Sequence, residues 1–130
     1  MVRSRCRLRR SVILLVDDNR DLCEALAEFL SLQGHAVQCA ADGSEALRMI
    51  ADSQTCPAVI LLDLAMPILD GWGFLAERGK DARIAAVPVV IMSGCSDVAP
   101  RAREAGAAAV VRKPVEPQAL LRVIEHFEPV

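Results

Sequence analysis

A chain of 130 residues, 53% hydrophobic and 25% charged, is sized for one domain with its own buried core and leaves no need for a second module. A net charge of −2 makes no electrostatic demand for a nucleic-acid partner, and aromatic residues at 3%, with no tyrosine, leave no stacking platform for single strands. No stretch approaches the roughly 20 consecutive apolar residues of a membrane span.

Residues 1–10 form a basic arm carrying Arg3, Arg5, Arg7, Arg9 and Arg10, read as a flexible, solvated leader ahead of a domain over 11–128. Arg9-Arg10 before the apolar residues 12–16 has the outline of an export signal, but the run is too short and ends in Asp17-Asp18. The five cysteines, Cys6, Cys23, Cys39, Cys56 and Cys95, are odd in number and scattered without C-x-x-C spacing. That usage points to a reduced, cytoplasmic compartment in which most of them pack as small hydrophobes.

The run 12–16 is continuously apolar, as a strand buried on both faces must be. After Asp17-Asp18, Leu22, Leu26, Phe29 and Leu30 recur at i, i+4, i+7 and i+8 opposite Asp21, Glu24 and Glu28, which predicts an amphipathic helix closed by Gly34. Residues 36–40 read as a second strand. The turn Asp42-Gly43 follows, then a helix capped by Ser44 that buries Ala46, Leu47 and Ile50. A third strand spans 58–62, followed by Asp63-Leu64-Ala65-Met66-Pro67, the turn Asp70-Gly71 and a weaker helix over 72–80. A fourth strand covers 87–92 with Pro88 at its start and Ser93-Gly94 as the exit turn. A short helix over 101–105 stops at Gly106, a brief fifth strand covers 108–111, and Leu120, Val123, Ile124 and Phe127 mark the last helix. Strands alternating with helices predict an open parallel α/β sheet covered on both faces.

In such sheets ligands bind beyond the carboxyl ends of the strands, where connections diverge to opposite faces. The strand ends carry Asp17 and Asp18, then Asp63, then Ser93, then Lys113, so these side chains are expected to face one crevice. Clustered carboxylates repel unless a cation joins them or their pKa values rise, and oxygen-only ligands select a hard ion such as magnesium. Asp63 is then a candidate nucleophile for phosphoryl transfer, with Lys113 and Ser93 placed to stabilise charge on the transferring oxygens. Each piece alone has a plain explanation, a helix cap for Asp17-Asp18 or a turn for Ser93 and Lys113-Pro114. His35 and His126 have no second ligand at metal-binding spacing and are assigned to solvent or packing.

Taken in order, Val16-Asp17-Asp18-Asn19, Gly43-Ser44-Glu45-Ala46-Leu47, Asp63-Leu64-Ala65-Met66-Pro67, Asp70-Gly71, Met92-Ser93-Gly94 and Lys113-Pro114 resemble a bacterial response-regulator receiver domain over about residues 11–127. The resemblance implies a flavodoxin-like, doubly wound sheet of order 2-1-3-4-5 with five helices. It also implies that Asp63 accepts phosphate from a sensor histidine kinase or a histidine phosphotransfer protein. Asp18 would bind Mg2+ directly, Asp17 mainly through water and Ala65 through its backbone carbonyl, with Asp63 also in the metal set. Lys113 would pair with the phosphoryl group, Ser93 would move toward it, and the Lys113-Pro114 bond would be cis. Val110 stands at the switch position where the family often has an aromatic residue, and Cys95 where the family tunes dephosphorylation.

An aspartate-nucleophile phosphatase would have a second acid where this chain has Ala65, and a flavin site would want a Ser/Thr/Gly-rich loop where this chain has Asp17-Asp18. The expectation is therefore a signalling phosphoacceptor rather than an enzyme, switching an unidentified downstream protein through the loop after Ser93, the fourth helix and the fifth strand, with Arg101 and Arg103 as exposed candidates. The alternative is a phosphorylation-independent interaction module. A monomer or weak dimer is expected, either free-standing or cut from a larger regulator or hybrid kinase.

Overall fold

Where aliphatic runs end in turn-forming residues, strands form, and where apolar residues recur at helical spacing, helices cross back over them. The computed structural model describes residues 12–52, 56–95 and 97–127. The basic arm, Cys6 and both limits of the expected domain lie outside the described residues. The elements alternate as β1 (Val12–Val16), α1 (Arg20–Leu32), β2 (Ala36–Ala40), α2 (Gly43–Asp52), β3 (Val59–Asp63), α3 (Gly71–Arg78), β4 (Val89–Ser93), α4 (Ala99–Glu104), β5 (Ala109–Arg112) and α5 (Pro117–Phe127). All strands are parallel in the order β2-β1-β3-β4-β5, as expected of the flavodoxin-like arrangement.

Successive side chains of a strand point to opposite faces, and each face here has its own core. Leu14, Val16, Ile60, Leu62, Val89 and Ile91 pack with Ala46 and Ile50 of α2, Phe74 and Leu75 of α3 and Ala102 of α4. Ile13, Leu15, Val59, Leu61, Val90 and Met92 pack with Cys23, Leu26 and Leu30 of α1 and Leu120, Leu121 and Ile124 of α5. β3 and β4 are buried along their whole length, which is why their sequences are uninterrupted by polar residues until the last position. Each such aliphatic side chain contributes about 1.5–3 kcal/mol by leaving water.

The helix ends show where sequence reading needs adjusting. The acceptor at the start of α2 is Asp42, whose Oδ1 takes the Glu45 N–H at 2.9 Å, rather than Ser44, while Glu45 reaches back to the Ala41 N–H at 2.6 Å. Asp42 wins because it sits one residue ahead of the first helical residue, where a side-chain oxygen can reach three residues on. α3 starts at Gly71, capped by Asp70, whose Oδ1 accepts from Gly73 N at 2.8 Å. α1 ends where Gly34 takes φ +96°, a conformation that favours glycine.

β3 and β4 each extend one residue past the end of their aliphatic runs, so Asp63 and Ser93 are the last laddered residues, opposite Met92 and Arg112. Their backbones are therefore held by the sheet while their side chains leave it.

Candidate functional site

The sheet order places β1 between β2 and β3, so the connections from β1 and β3 leave to opposite faces and a crevice opens between their carboxyl ends. Asp17 sits just past β1, its N–H donated to the Ala40 carbonyl at 3.0 Å. Its side chain is almost fully buried, with Oδ1 accepting the Asn19 N–H at 2.9 Å and Oδ2 accepting from Lys113 Nζ at 3.0 Å. The same ammonium donates to Asp63 Oδ1 at 3.1 Å. Asp18 is exposed, and one carboxylate oxygen from each of Asp17, Asp18 and Asp63 lies within 4.8 Å of the others. Lys113 reaches this point because its N–H donates to the Ser93 carbonyl at 2.9 Å, which continues the β4–β5 ladder by one step. Odd numbering along β1, β3 and β5 leads to the face covered by α1 and α5, and Asp17, Asp63 and Lys113 continue that parity.

Burial pushes the Asp63 carboxyl up from its ordinary value, and the charges of Asp17 and Asp18 push the same way, against the lowering effect of the Lys113 hydrogen bond. Burial works to lower Lys113, but its hydrogen bonds to Asp17 and Asp63 outweigh that and hold the ammonium above its ordinary value. The pocket thus strains one acid and secures one cation. A carboxyl raised by folding costs stability once it ionises: the cost sets in as pH rises from the ordinary value through the raised one, and is complete above it. In the metal-free protein, Asp63→Asn is therefore expected to raise unfolding stability at pH 7 by ~1 kcal/mol. Urea unfolding in chelator should show that gain at pH 7 and its loss near pH 4.

Ser93 is buried, and its Oγ accepts the Cys95 N–H at 3.0 Å, so the hydroxyl is turned to the loop that follows it. Ala65 lies exposed in the loop after Asp63. Val110 is half-buried, pairs with Ile91 and packs on the α2–α4 face, away from the acids. The Lys113-Pro114 peptide is cis. Cys95 and Cys39 are exposed and Cys23 is buried, all three free thiols, and Cys56 is half-buried.

Several supporting contacts had only faint sequence signals. The buried Cys23 thiol, pushed up to about 12 by burial and by the nearby Cys39 and Asp17, donates to the Asp17 carbonyl at 3.3 Å and props the residue from beneath. Its position one residue after Leu22 on the inner stripe of α1 was the available clue. Arg78 is buried, and one guanidinium nitrogen donates to the Ala85 and Val87 carbonyls at 2.7 and 2.8 Å, pinning the segment that leads into β4. A charged residue in the last turn of α3 reads as solvated from sequence alone.

The fold is thus a doubly wound parallel sheet with a lysine-bridged acidic crevice at its switch point. Residues 13–125 match the response regulator receiver domain, and the chain belongs to that family. It is 36% identical to a probable transcriptional regulator, ycf27, of Guillardia theta, over 92% of this chain and 48% of that protein. It is 37% identical to the response regulator MprA of Mycobacterium ulcerans, over 84% of this chain and 46% of that protein. The chain thus spans about half the length of these curated relatives. Among solved structures, the receiver domain of NtrX from Brucella abortus is 34% identical with a TM-score of 0.78, covering 88% of this chain and 95% of that one. Chemotaxis protein CheY4 of Vibrio cholerae, 24% identical with a TM-score of 0.83 over 92% of this chain and 99% of that one, shares the fold.

This is a receiver domain of two-component signalling, a class phosphorylated by histidine kinases and acting on downstream targets. No helix among the described residues is long and apolar enough to cross a membrane. Receiver domains bind Mg2+ at an acidic pocket, and the three clustered carboxylates fit a hard cation by their all-oxygen chemistry.

Proposed function

We propose that Asp63 accepts a phosphoryl group from a phosphohistidine in a magnesium-dependent reaction, and that the signal leaves through the loop after Ser93, α4 and β5. The observation that carries this reading is one ammonium, Lys113 Nζ, bonded at 3.0 and 3.1 Å to two buried carboxylates that share a crevice with a third. A carboxylate oxygen of Asp63 attacks phosphorus, a new P–O bond forms as the P–N bond of the donor breaks, and the imidazole leaves with a proton. Lys113 then turns from the Asp63 carboxylate to the phosphoryl oxygens that Asp63 carries. Asp18 and Asp63 would hold the ion directly, Asp17 through water, and Ala65 through its carbonyl. When bound, magnesium supplies positive charge for the phosphoryl oxygens. Both Asp17 oxygens already accept hydrogen bonds, which suits an indirect role.

Switching follows from what Ser93 must release. Turning Oγ toward the phosphoryl group deprives the Cys95 N–H of its acceptor, so the loop into α4 has to shift. Between α4 and β5 a cavity of ≈ 210 Å³, lined by Ala99, Ala102, Arg103 and Val110 among others, leaves room for that repacking. Arg101 of α4 stacks over the Trp72 ring of α3 at 3.9 Å, so α4 movement changes the surroundings of the sole tryptophan. The chemistry is tested by incubation with acetyl phosphate and magnesium, read by intact mass. Wild type should gain one phosphoryl group; chelator and Asp63→Asn should each abolish it. Labelling that persists in Asp63→Asn removes Asp63 as acceptor.

A further inference from the structure

The segment from β3 to α3 is clamped at both ends. Gly71 donates its N–H to the Leu64 carbonyl at 3.0 Å, Asp70 caps α3, and the Leu69 carbonyl accepts the Gly43 N–H of α2 at 2.9 Å. The Leu69 side chain is wedged over two glycines, such that a Cβ added at Gly43 or Gly73 would come within 3.1 or 2.5 Å of it.

With Leu69 held inward, the residue before it is forced outward. Leu69 N–H donates to the Pro67 carbonyl at 2.8 Å across Ile68, whose φ is +68°. That is the rarer, strained form of γ-turn, and a β-branched residue at positive φ is an outlier. Ile68 is also 84% exposed, with exposed Ala65 and Pro67 beside it, so its side chain gains almost no burial inside the fold. A lone exposed isoleucine is ordinary; one presented on a strained turn five residues past the reactive carboxylate, in a segment clamped at both ends, is not.

We infer that Ile68 is a docking contact for the protein that donates the phosphoryl group, an inference that rests on the phosphoacceptor reading of Asp63. A macromolecular donor must bring its phosphorus to Asp63, and a stable encounter covers roughly 800 Å² of each partner, a patch of about 16 Å radius. Ile68 lies five residues beyond Asp63 and so cannot be farther than about 18 Å along the chain, and the Gly71–Leu64 closure draws it nearer. A contact already fixed by Leu69 costs little ordering on binding. Asp70, two residues on, and Asp18 of the acidic cluster are both exposed, so the donor surface this segment fits carries an apolar side chain and basic groups beside its histidine.

Glycine and asparagine tolerate positive φ, so Ile68→Gly and Ile68→Asn keep the turn, and Ile68→Leu keeps the apolar contact. A panel of autophosphorylated histidine-kinase cytoplasmic fragments is screened on wild type, and the fastest donor is compared with acetyl phosphate. The expected result is a fall of tenfold or more in kcat/KM for the kinase donor in Ile68→Gly and Ile68→Asn, near-wild-type transfer in Ile68→Leu, and acetyl phosphate labelling within twofold of wild type in all. Equal kinase transfer in every variant overturns the inference, as does an equal loss with both donors, which would place Ile68 in the chemistry. A wild-type dimer in sedimentation that Ile68→Asn dissociates overturns it too, assigning the contact to a second copy. Wild type taking no phosphoryl group from either donor removes the phosphoacceptor reading and this inference with it.

Discussion

Replacing Lys113 with methionine is expected to slow acetyl phosphate labelling of Asp63 by roughly 10²-fold and, at the same time, to tighten binding of divalent cations. Both follow from one geometry. The ammonium stands 3.0 Å from Asp17 and 3.1 Å from Asp63, so in the resting protein it offsets the repulsion of the acidic cluster, and in the proposed transfer it would face the incoming oxygens beside Asp63. Methionine keeps much of the stem and removes the charge. The transition state loses an aimed positive group, which costs a few kcal/mol of barrier at such sites. The acids meanwhile lose their resident cation, so an added metal ion meets a more negative pocket. Two buried carboxylates without a counter-charge also destabilise the metal-free fold, by about 2 kcal/mol once the partial exposure of the lysine is allowed for. Stopped-flow labelling, titration with magnesium and urea unfolding in chelator read the three effects separately. Unchanged magnesium affinity in Lys113→Met would show that the ammonium does not offset the acids.

The second large effect is expected at Gly71. A Cβ there would lie 2.6 Å from the Asp63 carbonyl oxygen and 2.8 Å from the Leu64 Cα, both backbone atoms that cannot rotate away. Gly71→Ala must therefore either push α3 outward or displace the end of β3, at a cost of about 1–3 kcal/mol in stability. If β3 yields, the nucleophile moves with it, and a shift near 1 Å costs on the order of 10² in rate. Gly79, at the far end of the same helix, is the matched control. Its added Cβ would meet nothing closer than 3.6 Å and its φ is −64°, so Gly79→Ala should leave labelling unchanged and be neutral or slightly stabilising. Parallel unfolding curves and labelling rates for the two variants decide between a local clash and a general intolerance of α3 to alanine.

The order of strands and helices was legible because each strand is a short aliphatic block and each longer helix has an inward stripe. Boundaries shifted by one or two residues for identifiable reasons. Asp63 and Ser93 are polar and so read as turn residues, yet the ladder continues through both, opposite Met92 and Arg112. Ser44 read as a cap because serine is a good one, but Asp42 occupies the geometry that reaches the Glu45 N–H.

The site was legible in its acids and lysine, and their meeting had a clue in strand parity. Asp17, Asp63 and Lys113 follow the alternation of their strands onto one face, while Ser93 and Val110 follow it onto the other. The strained Ile68 had no such clue, since the clamp on Leu69 comes in part from Gly43 of α2, about 26 residues back along the chain.

What the sequence determined by itself is periodicity and chemistry: which segments are strands, which faces are apolar, and which strand ends carry carboxylates, a hydroxyl and an amine. Those properties are local, set by residue type and spacing of two or 3.6. Only the tertiary structure decided that one ammonium bridges Asp17 and Asp63, that the Ser93 hydroxyl is held by the Cys95 N–H, that Arg78 is buried, and that Ile68 is turned out under strain. The lysine bridge depends on distances between segments far apart in the chain, which exist only once both cores have closed on the sheet; the Ser93 and Arg78 contacts span few residues, yet residue type and spacing do not select them.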